Sequence, residues 1–435
     1  MGKDLPHVVV VGGGFGGLEA ARTLRKARVR ITLIDKRNHH LFQPLLYQVA
    51  TAGLAASDIA APIRKVLAAQ ENVTVLMDRT VAVRREEKVL ELGGERLEYN
   101  YLILATGVTN DYFGNDGWEA HAPGLKSLEE ALDIRRRVLL AFENAEKEDD
   151  EGARKRWLTF VVIGGGATGV ELAGALSEIA RKTMAADFRN FNPRDARVVL
   201  LEGGPRLLPA FPPELSEQAR HDLQDIGVEV QLNARAQRID ARGVLTENEM
   251  IEAGNVLWAA GVRGVPLAET LGVRQDRAGR VFVRPDLTVE GAPGVFVIGD
   301  AAAFPVEGGI LPGVAQVAIQ QGRHAARNIL ADLARRPMAP FSYFDRGSMA
   351  TIGRNRAIAV TGGLQMTGVL AWLAWVFIHV LYLVDFRNRL VVLFEWSWAY
   401  LSFNRSARII LERPVPRVDL PAAPSRRVLP EKELA

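Results

Sequence analysis

The 435-residue sequence has no cysteine and little excess charge. Without cysteine, the chain cannot form disulfides, cysteine-ligated clusters or a dithiol active site. A formal net charge of +3 and the lack of zinc-ligand or RNA-binding motifs argue against a nucleic-acid partner. The opening MGKDLPH leads directly into an apolar strand, so we expect no signal or transit peptide and a nucleotide-binding part that stays in the compartment of synthesis.

Long apolar segments are also scarce, although the chain is somewhat oily, with 48% hydrophobic residues and a mean hydropathy of +0.03. The uncharged run Gly368 to Val384 has 17 residues, and a spanning helix needs about 20. The length predicts two or three domains. The composition predicts that one part of the chain contacts a membrane.

A glycine motif stands close to the N-terminus. Val8 to Gly17 reads VVVVGGGFGG, so a β-branched strand enters a Gly-x-Gly-x-x-Gly turn, and a helical pattern follows over Leu18 to Lys26. Asp35 ends the next apolar run, where a dinucleotide fold places an acid against a ribose hydroxyl. A glycine turn can simply pack a helix onto a strand. Here strand, spacing, helix and acid together favour a dinucleotide site.

The motif occurs a second time. Phe160 to Glu171 reads FVVIGGGATGVE, and the strand Arg197 to Leu201 then leads to Glu202. A carboxylate there is expected to hold the 2′-hydroxyl of NADH and to repel the phosphate of NADPH, although the nearby cation Arg206 could accept such a phosphate. Two dinucleotide sites in one chain are typical of a flavoprotein that takes hydride from a nicotinamide.

Further segments are suited to lie against a flat cofactor. The loop from 36 to 54 is too apolar and aromatic to be a solvent-facing connection, and YLILATG ends in three small residues at Gly107. VLWAAG, ending at Gly261, echoes that strand in the second unit. VFVIGD places Asp300 where it can accept a hydrogen bond from the ribityl chain of FAD. An ordinary turn at the end of a strand is the alternative for Asp300.

Pro312 to His324 is predicted to begin a helix. Gln316 and Gln320 are four residues apart and therefore share one helix face. Two neutral amides among small residues could hydrogen-bond the carbonyls of a flat substrate, whereas in isolation such residues are usually half-exposed helix polars. The crossover helix is predicted over Val170 to Arg189, and the charged run Glu143 to Arg156 as a solvated helix end and linker.

The C-terminal region combines apolar helices with tryptophan and arginine. A second apolar run covers Leu390 to Phe403, and four of the seven tryptophans fall between 372 and 398. Aromatic residues with arginines for anionic headgroups favour helices that lie in one leaflet. A buried helical hairpin and a dimer interface are the alternatives. His379 is either a packing histidine or a residue at the mouth of a membrane-side site, and the tail after Arg413 is expected to be loosely ordered.

Taken together, these motifs resemble those of the type II NADH dehydrogenases, the single-subunit, non-proton-pumping NADH:quinone oxidoreductases. The resemblance rests on both glycine motifs, NHHLFQPLLYQVAT, the Ala-Thr-Gly strand end, VFVIGD and AQVAIQ, in this order. It implies an α/β fold with two Rossmann-like dinucleotide-binding domains and a C-terminal amphipathic helical membrane-docking segment. The implied limits are 1–112 with 285–335 for non-covalent FAD, 113–284 for NADH, and 336–435 for membrane attachment.

The resemblance also implies roles for individual residues. Gln316 and Gln320, with Ala315 and Ala318, fall on the family's quinone motif, and Glu171 falls on a glutamate that helps to deliver protons to the quinone. No metal is expected. The residues assigned to FAD and NADH are Gly12, Gly13, Gly14, Phe15, Gly16, Gly17, Asp35, Lys36, His39, His40, Val81, Ala105, Thr106, Gly107, Gly164, Gly166, Gly169, Glu202, Gly261, Gly299, Asp300, Ala315 and Gln316.

The expected partners are a quinone and the lipid surface, with a homodimer as a further option and no nucleic acid. We expect a peripheral, monotopic protein on the cytoplasmic face of the cell membrane. Disulfide reductases and sulfide:quinone oxidoreductases need cysteines that this chain lacks. The competing interpretation is a redox sensor that binds FAD and NADH, or a reductase of a protein electron acceptor.

Overall fold

Two sheets, each carrying one glycine motif, organise the chain; the second is parallel, and the first is parallel except for its edge strand Thr288–Val289. The computed structural model describes residues 5–384, 389–394, 396–397 and 407–410. In both sheets the strand before the glycines is fully buried, as expected for a strand covered on both faces. In spatial order, the first sheet contains Thr288–Val289, Ala292–Val297, Tyr101–Leu104, His7–Val11, Arg30–Asp35 and Val73–Met77, and the second contains Val228–Gln231, Arg197–Leu201, Thr159–Ile163 and Asn255–Trp258.

Smaller antiparallel sheets attach to this frame. Each parallel unit carries a three-stranded insertion, and a third such sheet follows both units. These sheets comprise Ala82–Arg84, Val89–Glu91 and Arg96–Glu98; Arg238–Asp240, Gly243–Leu245 and Met250–Glu252; and Ser348–Gly353, Arg356–Thr361 and Leu364–Thr367. Two-stranded antiparallel pairs are Val108–Asn110 with Val262–Gly264, His39–Leu41 with Ala60–Pro62, and Pro305–Val306 with Gly309–Ile310. Val281–Phe282 pairs in parallel with Ala302–Ala303.

The helices cover the sheets and connect their strands. The α-helices are Phe15–Thr23, Leu46–Ala50, Ala56–Ile59, Ile63–Val66, Leu128–Lys147, Glu151–Trp157, Ala167–Glu178, Pro213–Asp225, Ala315–Leu333 and Gly368–Tyr382. Short 3-10 helices span Gln43–Leu45, Asp116–Ala120, Pro193–Asp195, Pro266–Leu271 and Gly299–Ala301. Residues 389–394 and 396–397 are helical as well.

Two predictions about the connection between the units need correction. The crossover helix ends at Glu178 and continues only as a π-helical turn, Ile179–Thr183. Its predicted continuation fails because Phe188 and Phe191 leave the helix to stack on Phe142, with ring centroids 5.9 and 6.5 Å away. The predicted linker contains a second helix, Glu151–Trp157, whose first turn is capped by Asp150.

The C-terminal region also departs from the expected all-helical form. The antiparallel sheet over 348–367 was not foreseen, because its strands are short and mix small with polar residues. The predicted helix from Gly368 is confirmed as Gly368–Tyr382. Within the described residues, no helix has both the length and the apolar character that crossing a membrane requires. The end of the second apolar run and the tail after Arg413 lie outside the described residues.

Candidate active site

The first glycine turn is shaped by close backbone contacts. Gly12 has φ +105°, and its N–H donates to the carbonyl of Ile34 over 2.8 Å. A Cβ on Gly12 would lie 2.3 Å from the Ala105 carbonyl oxygen, and one on Gly17 would lie 1.9 Å from the Gly12 oxygen. At Gly14, by contrast, a Cβ would meet nothing within 4 Å. The turn therefore leaves space beside the N-terminus of a helix, where an anionic pyrophosphate is favoured.

The second turn repeats this geometry. Gly164 has φ +110°, and its N–H donates to the carbonyl of Leu201, again over 2.8 Å. A Cβ on Gly169 would lie 1.8 Å from the Gly164 oxygen, while one on Gly166 would meet nothing within 4 Å. Both motifs thus form the same turn, each between a buried strand and a helix.

The two acids predicted to hold ribose hydroxyls lie directly beside the turns. Asp35 accepts hydrogen bonds from the amides of Gly13 (2.7 Å) and Arg37 (2.8 Å). Glu202 accepts from the amides of Gly165 (2.6 Å) and Gly204 (2.5 Å). Each carboxylate therefore also fixes the backbone of its glycine turn.

Arg206 is bound to the backbone of its own loop. Its guanidinium donates to the carbonyls of Pro209 (2.8 Å) and Phe211 (3.1 Å). Arg206 is the cation that the sequence analysis considered for the phosphate of NADPH, and these two hydrogen bonds hold its side chain within its own loop.

A cavity of about 1890 Å³ connects the first glycine turn with the second unit and the C-terminal region. Many of the predicted site residues line this cavity. Gln316, at the start of helix Ala315–Leu333, is one of them. The predicted residues on its wall are Gly12, Gly13, Gly14, Phe15, Gly16, Asp35, Lys36, His39, Val81, Ala105, Thr106, Gly107, Gly166, Glu171, Gly299, Asp300, Ala315 and Gln316.

The other predicted residues lie outside this wall and have structural partners. Gly17, Gly164 and Gly169 close the turns, and Gly261 lies under the ring of Phe113, where a Cβ would come within 2.5 Å. His40 is buried and donates from Nδ1 to the Gly13 carbonyl over 3.0 Å. Burial lowers the pKa of His40 to about 4, so the ring is neutral and supports the turn from behind.

Gln320 also lies off the wall, although it is one turn from Gln316. Its side-chain amide donates to the Phe344 carbonyl over 2.9 Å, and its side-chain oxygen accepts from the Phe344 N–H over 3.0 Å. The two glutamines therefore differ in structure. Gln316 faces the cavity, and Gln320 fixes the chain segment that leads into the third antiparallel sheet.

Glu171 opens onto the cavity but is otherwise enclosed by protein. Burial raises the pKa of its carboxyl to about 8, and a hydrogen bond from the backbone of Thr351 partly opposes this rise. Thr351 belongs to strand Ser348–Gly353 of the C-terminal region. At pH 7 the carboxyl is therefore mainly protonated and able to give a proton to a bound molecule.

Helix Gly368–Tyr382 forms the cavity wall on the C-terminal side. Its residues Ile378, His379, Leu381 and Tyr382 face the cavity. The His379 ring stacks on Trp375 with centroids 4.2 Å apart, and its Nδ1 donates to the Trp375 carbonyl over 2.8 Å. Burial lowers the pKa of His379 to about 4, so this wall presents a neutral imidazole.

Among the cavity residues that the sequence analysis did not single out are two cations, Lys126 and Arg346. Lys126 lies on the wall just before helix Leu128–Lys147, and no motif marks it. Arg346 lies on the wall near helix Gly368–Tyr382 and donates to the Tyr382 hydroxyl over 2.6 Å. Neither could be found from local pattern, because each reaches the cavity only through packing between distant segments.

The comparisons with known proteins agree with this geometry. Residues 6–322 match the family model for pyridine nucleotide-disulphide oxidoreductases, and residues 346–405 match the NDH2 C-terminal domain. The fold and the paired glycine turns thus define an oxidoreductase of the pyridine nucleotide-disulphide class. This chain has no cysteine for disulfide chemistry. Within that class, the chain belongs to the type II NADH:quinone oxidoreductases.

Curated relatives carry this assignment, and a solved structure shares the fold. The chain is 44% identical over 431 residues to the type II NADH:quinone oxidoreductase NdhA of Mycobacterium tuberculosis, covering 94% of this chain and 90% of the relative. It is 31% identical to a type II NADH:quinone oxidoreductase of Staphylococcus haemolyticus, covering 85% and 92%. The fold is similar to that of NDH2 from Plasmodium falciparum in complex with NADH, with a TM-score of 0.85, 18% identity and coverage of 94% and 100%.

FAD is the cofactor of this family, and the first unit fits it. The space beside Gly14 is open to the cavity, and a Cβ at Gly107 would likewise meet nothing within 4 Å. The carboxyl of Asp300 faces the same cavity, and burial raises its pKa. A phosphate-binding turn, small residues and a polar side chain along one wall are what a long dinucleotide requires.

Proposed function

We propose that the protein oxidises NADH with bound FAD and passes the electrons to a membrane quinone, without pumping protons. The observation that carries this proposal is the continuous cavity. It runs from the first glycine turn, past Glu171 and Gln316, to the apolar helix Gly368–Tyr382. Bound FAD supplies the two-electron chemistry between the two substrates, while the protein positions them and manages protons.

We further propose a division of labour along the chain. Residues 1–112 with 285–335 bind FAD, 113–284 bind NADH, and 336–435 attach to the membrane. The second glycine turn binds the NADH pyrophosphate, and Glu202 holds the adenosine ribose while it keeps the backbone of that turn in place. The other residues named for FAD and NADH in the sequence analysis are proposed in the same roles.

The quinone end of the cavity is proposed to work through neutral groups. Gln316 binds a quinone carbonyl through its amide. Glu171 gives a proton to the reduced quinone, since its raised pKa keeps the carboxyl protonated at neutral pH. Gln320, held on the Phe344 backbone, is a positioning residue for the segment that encloses this end.

The proposed membrane contact is one face of helix Gly368–Tyr382. Its exposed apolar residues recur every three or four positions, with Leu370 73% and Phe377 66% exposed, while Ala371 and Trp375 pack inward. Solvated apolar side chains on one helix face favour insertion into a lipid surface. We propose that the protein lies on the cytoplasmic face of the cell membrane, with pairing of two copies through this helix as the alternative.

Anaerobic stopped-flow absorbance tests the proposed reaction. The FAD-loaded protein in detergent is mixed with NADH and then with a short-chain quinone. Bleaching of the flavin by NADH and rapid recovery on quinone are expected. Bleaching without recovery would favour a protein acceptor or a redox sensor, and no bleaching would contradict the proposed NADH site.

Proton movement is tested separately in sealed proteoliposomes. The vesicle interior is expected not to become acidic during turnover, because NADH oxidation takes up a proton from the outer medium and the reduced quinone keeps its protons within the membrane. Acidification of the vesicle interior, followed with an enclosed pH dye, that grows with NADH oxidation and is abolished by an uncoupler would contradict this part of the proposal.

A further inference from the structure

Lys126 places an ammonium group in the cavity on a rigid backbone. Its N–H donates to Glu130 over 2.7 Å, and its carbonyl accepts from the Gln43 side chain over 3.1 Å. Ser127, the next residue, caps helix Leu128–Lys147. Because both peptide groups are held, the side chain starts from a fixed point on the cavity wall.

The charge of this side chain is not committed to a contact within the described residues. No hydrogen bond or ion pair there uses its ammonium, although Asp300 and Glu130 both act on it electrostatically. Glu130 is already engaged, since its oxygens accept from the Asn110 side chain, the Lys126 amide and the Ser127 hydroxyl. Asp300, also on the cavity wall, is the carboxylate that remains to face the ammonium.

The position of Asp300 indicates which part of FAD lies near Lys126. Asp300 follows strand Ala292–Val297, which is two strands from His7–Val11 and its glycine turn. Neighbouring strands are about 4.8 Å apart, so Asp300 lies about 10 Å along the sheet edge from the pyrophosphate position. Lys36 follows the strand on the opposite side of His7–Val11. Lys126 thus belongs to the flavin half of the cavity, and Lys36 to the adenosine half.

We propose that Lys126 is the cation that raises the reduction potential of the bound flavin. Reduction adds negative charge to the flavin ring, and a fixed positive charge in a partly dry cavity stabilises that form more than the oxidised one. The proposal extends the function proposed above and rests on FAD lying in this cavity. It assigns the cation to a segment that packs against the FAD-binding unit rather than to the unit itself.

The test is a spectroelectrochemical titration of the FAD-loaded protein in three variants. In Lys126→Gln, the ratio of reduced to oxidised flavin at a fixed potential is expected to fall about tenfold, which is about 30 mV for a two-electron couple. Lys126→Arg keeps the charge and is expected to restore most of the shift. Lys36→Gln, the matched change at the adenosine end, is expected to weaken FAD retention and leave the potential unchanged.

Two results would overturn the inference. The first is a flavin reduction potential that is the same in wild type and Lys126→Gln, with only the thermal unfolding midpoint lowered in the variant. The second is a shift of the flavin potential in Lys36→Gln as large as that in Lys126→Gln. If Lys126→Gln does not retain FAD, Lys126→Met, which keeps the length of the side chain without its charge, provides the second measurement, and the same fall in potential is expected. The electrode, rather than NADH, reduces the flavin in this titration, so it still tests Lys126 if NADH fails to bleach the flavin and the proposed function is wrong.

Discussion

At Glu171 the surroundings, rather than the residue type, decide the chemistry. A glutamate side chain in water is normally ionised at neutral pH, and Glu171 is the fifth residue of helix Ala167–Glu178. Here enclosure by protein raises the pKa of the carboxyl to about 8. The side chain that would be an anion in water is thus kept as an acid beside the cavity.

Glu171→Gln should therefore slow the reoxidation of the flavin by quinone and abolish the fall of this rate at alkaline pH. In the wild type, reoxidation of the flavin by quinone is expected to fall as the pH rises through about 8, because the carboxyl loses its proton. The variant is expected to be about 10²-fold slower at pH 7 and flat across this range. Stopped-flow traces from pH 6 to 9 measure both effects. An unchanged fall at alkaline pH in the variant would assign the pH dependence to another group.

The same raised pKa should lower the stability of the protein as the pH rises. Between about pH 4.5 and 8 the unfolded chain ionises Glu171 while the folded chain keeps it protonated, so the unfolded state binds fewer protons. The free energy of unfolding of the wild type should fall relative to Glu171→Gln across this window, by on the order of 2–4 kcal/mol. Urea unfolding at pH 5 and pH 8.5 measures this difference, and parallel curves would show that burial does not perturb the group.

Gln316→Ala should separate the two half-reactions. The side chain lines the cavity at the start of its helix, so its loss is expected to slow flavin reoxidation by quinone about tenfold, roughly the value of one hydrogen bond to substrate. Reduction of the flavin by NADH should change much less. Equal slowing of both half-reactions would remove Gln316 from the quinone site.

At the scale of elements, one helix glycine joins the second unit to the C-terminal sheet. Helix Ala167–Glu178 packs against strand Ser348–Gly353 so closely that a Cβ on Gly174 would lie 1.8 Å from the Ile352 carbonyl oxygen. Two residues after Ile352, the backbone N–H of Arg354 donates to the Glu178 carboxylate over 2.6 Å. This contact sets the approach of the strand that brings the Thr351 backbone to Glu171.

Gly174→Ala is accordingly expected to destabilise the protein although alanine favours helices. The added methyl must displace the strand, at a cost of about 1–3 kcal/mol, and the pKa of Glu171 should shift as the strand moves. Chemical unfolding and the pH profile of reoxidation measure the two effects. Gly94→Ala is the control, since a Cβ there meets nothing within 4 Å. Equal stability of both variants would contradict the close packing.

At the scale of the molecule, the cavity belongs to none of the units alone. Its wall takes residues from the first unit, from Gly166 and Glu171 of the second, and from the C-terminal sheet and helix. The contact between Trp396 and Gln48, with the indole N–H donating over 2.7 Å, ties the C-terminal helical segment to the loop of the first unit. Membrane docking of that segment would bring the lipid surface to the end of the cavity.

Phe377→Glu should weaken membrane binding without preventing use of a water-soluble quinone. The ring is 66% exposed, and a carboxylate in its place opposes insertion into lipid. Co-sedimentation with anionic vesicles is expected to fall at least tenfold, while turnover with a short-chain quinone in detergent stays near wild type. Val306→Glu, also at an exposed apolar position, is the control. Unchanged vesicle binding together with loss of a dimer in sedimentation analysis would favour the pairing alternative.

The sequence by itself determined the two dinucleotide turns and much of the cavity wall. Each turn depends on residues adjacent in the chain, because a left-handed Gly12 or Gly164 and a bare Gly17 or Gly169 are required by contacts within one strand, turn and helix. The acids that follow the next strand are placed by the same local geometry. Of the apolar strands that end in small residues, YLILATG and VFVIGD reach the cavity, whereas VLWAAG ends at Gly261 under Phe113.

Only the tertiary structure decided what the individual polar side chains do there. Gln316 and Gln320 share a helix face, yet one meets the cavity and the other the Phe344 backbone, 24 residues on. The pKa of Glu171 and the position of Lys126 likewise depend on segments far away in the chain. Burial and electrostatic fields sum over every packed neighbour, and a local pattern does not contain those neighbours.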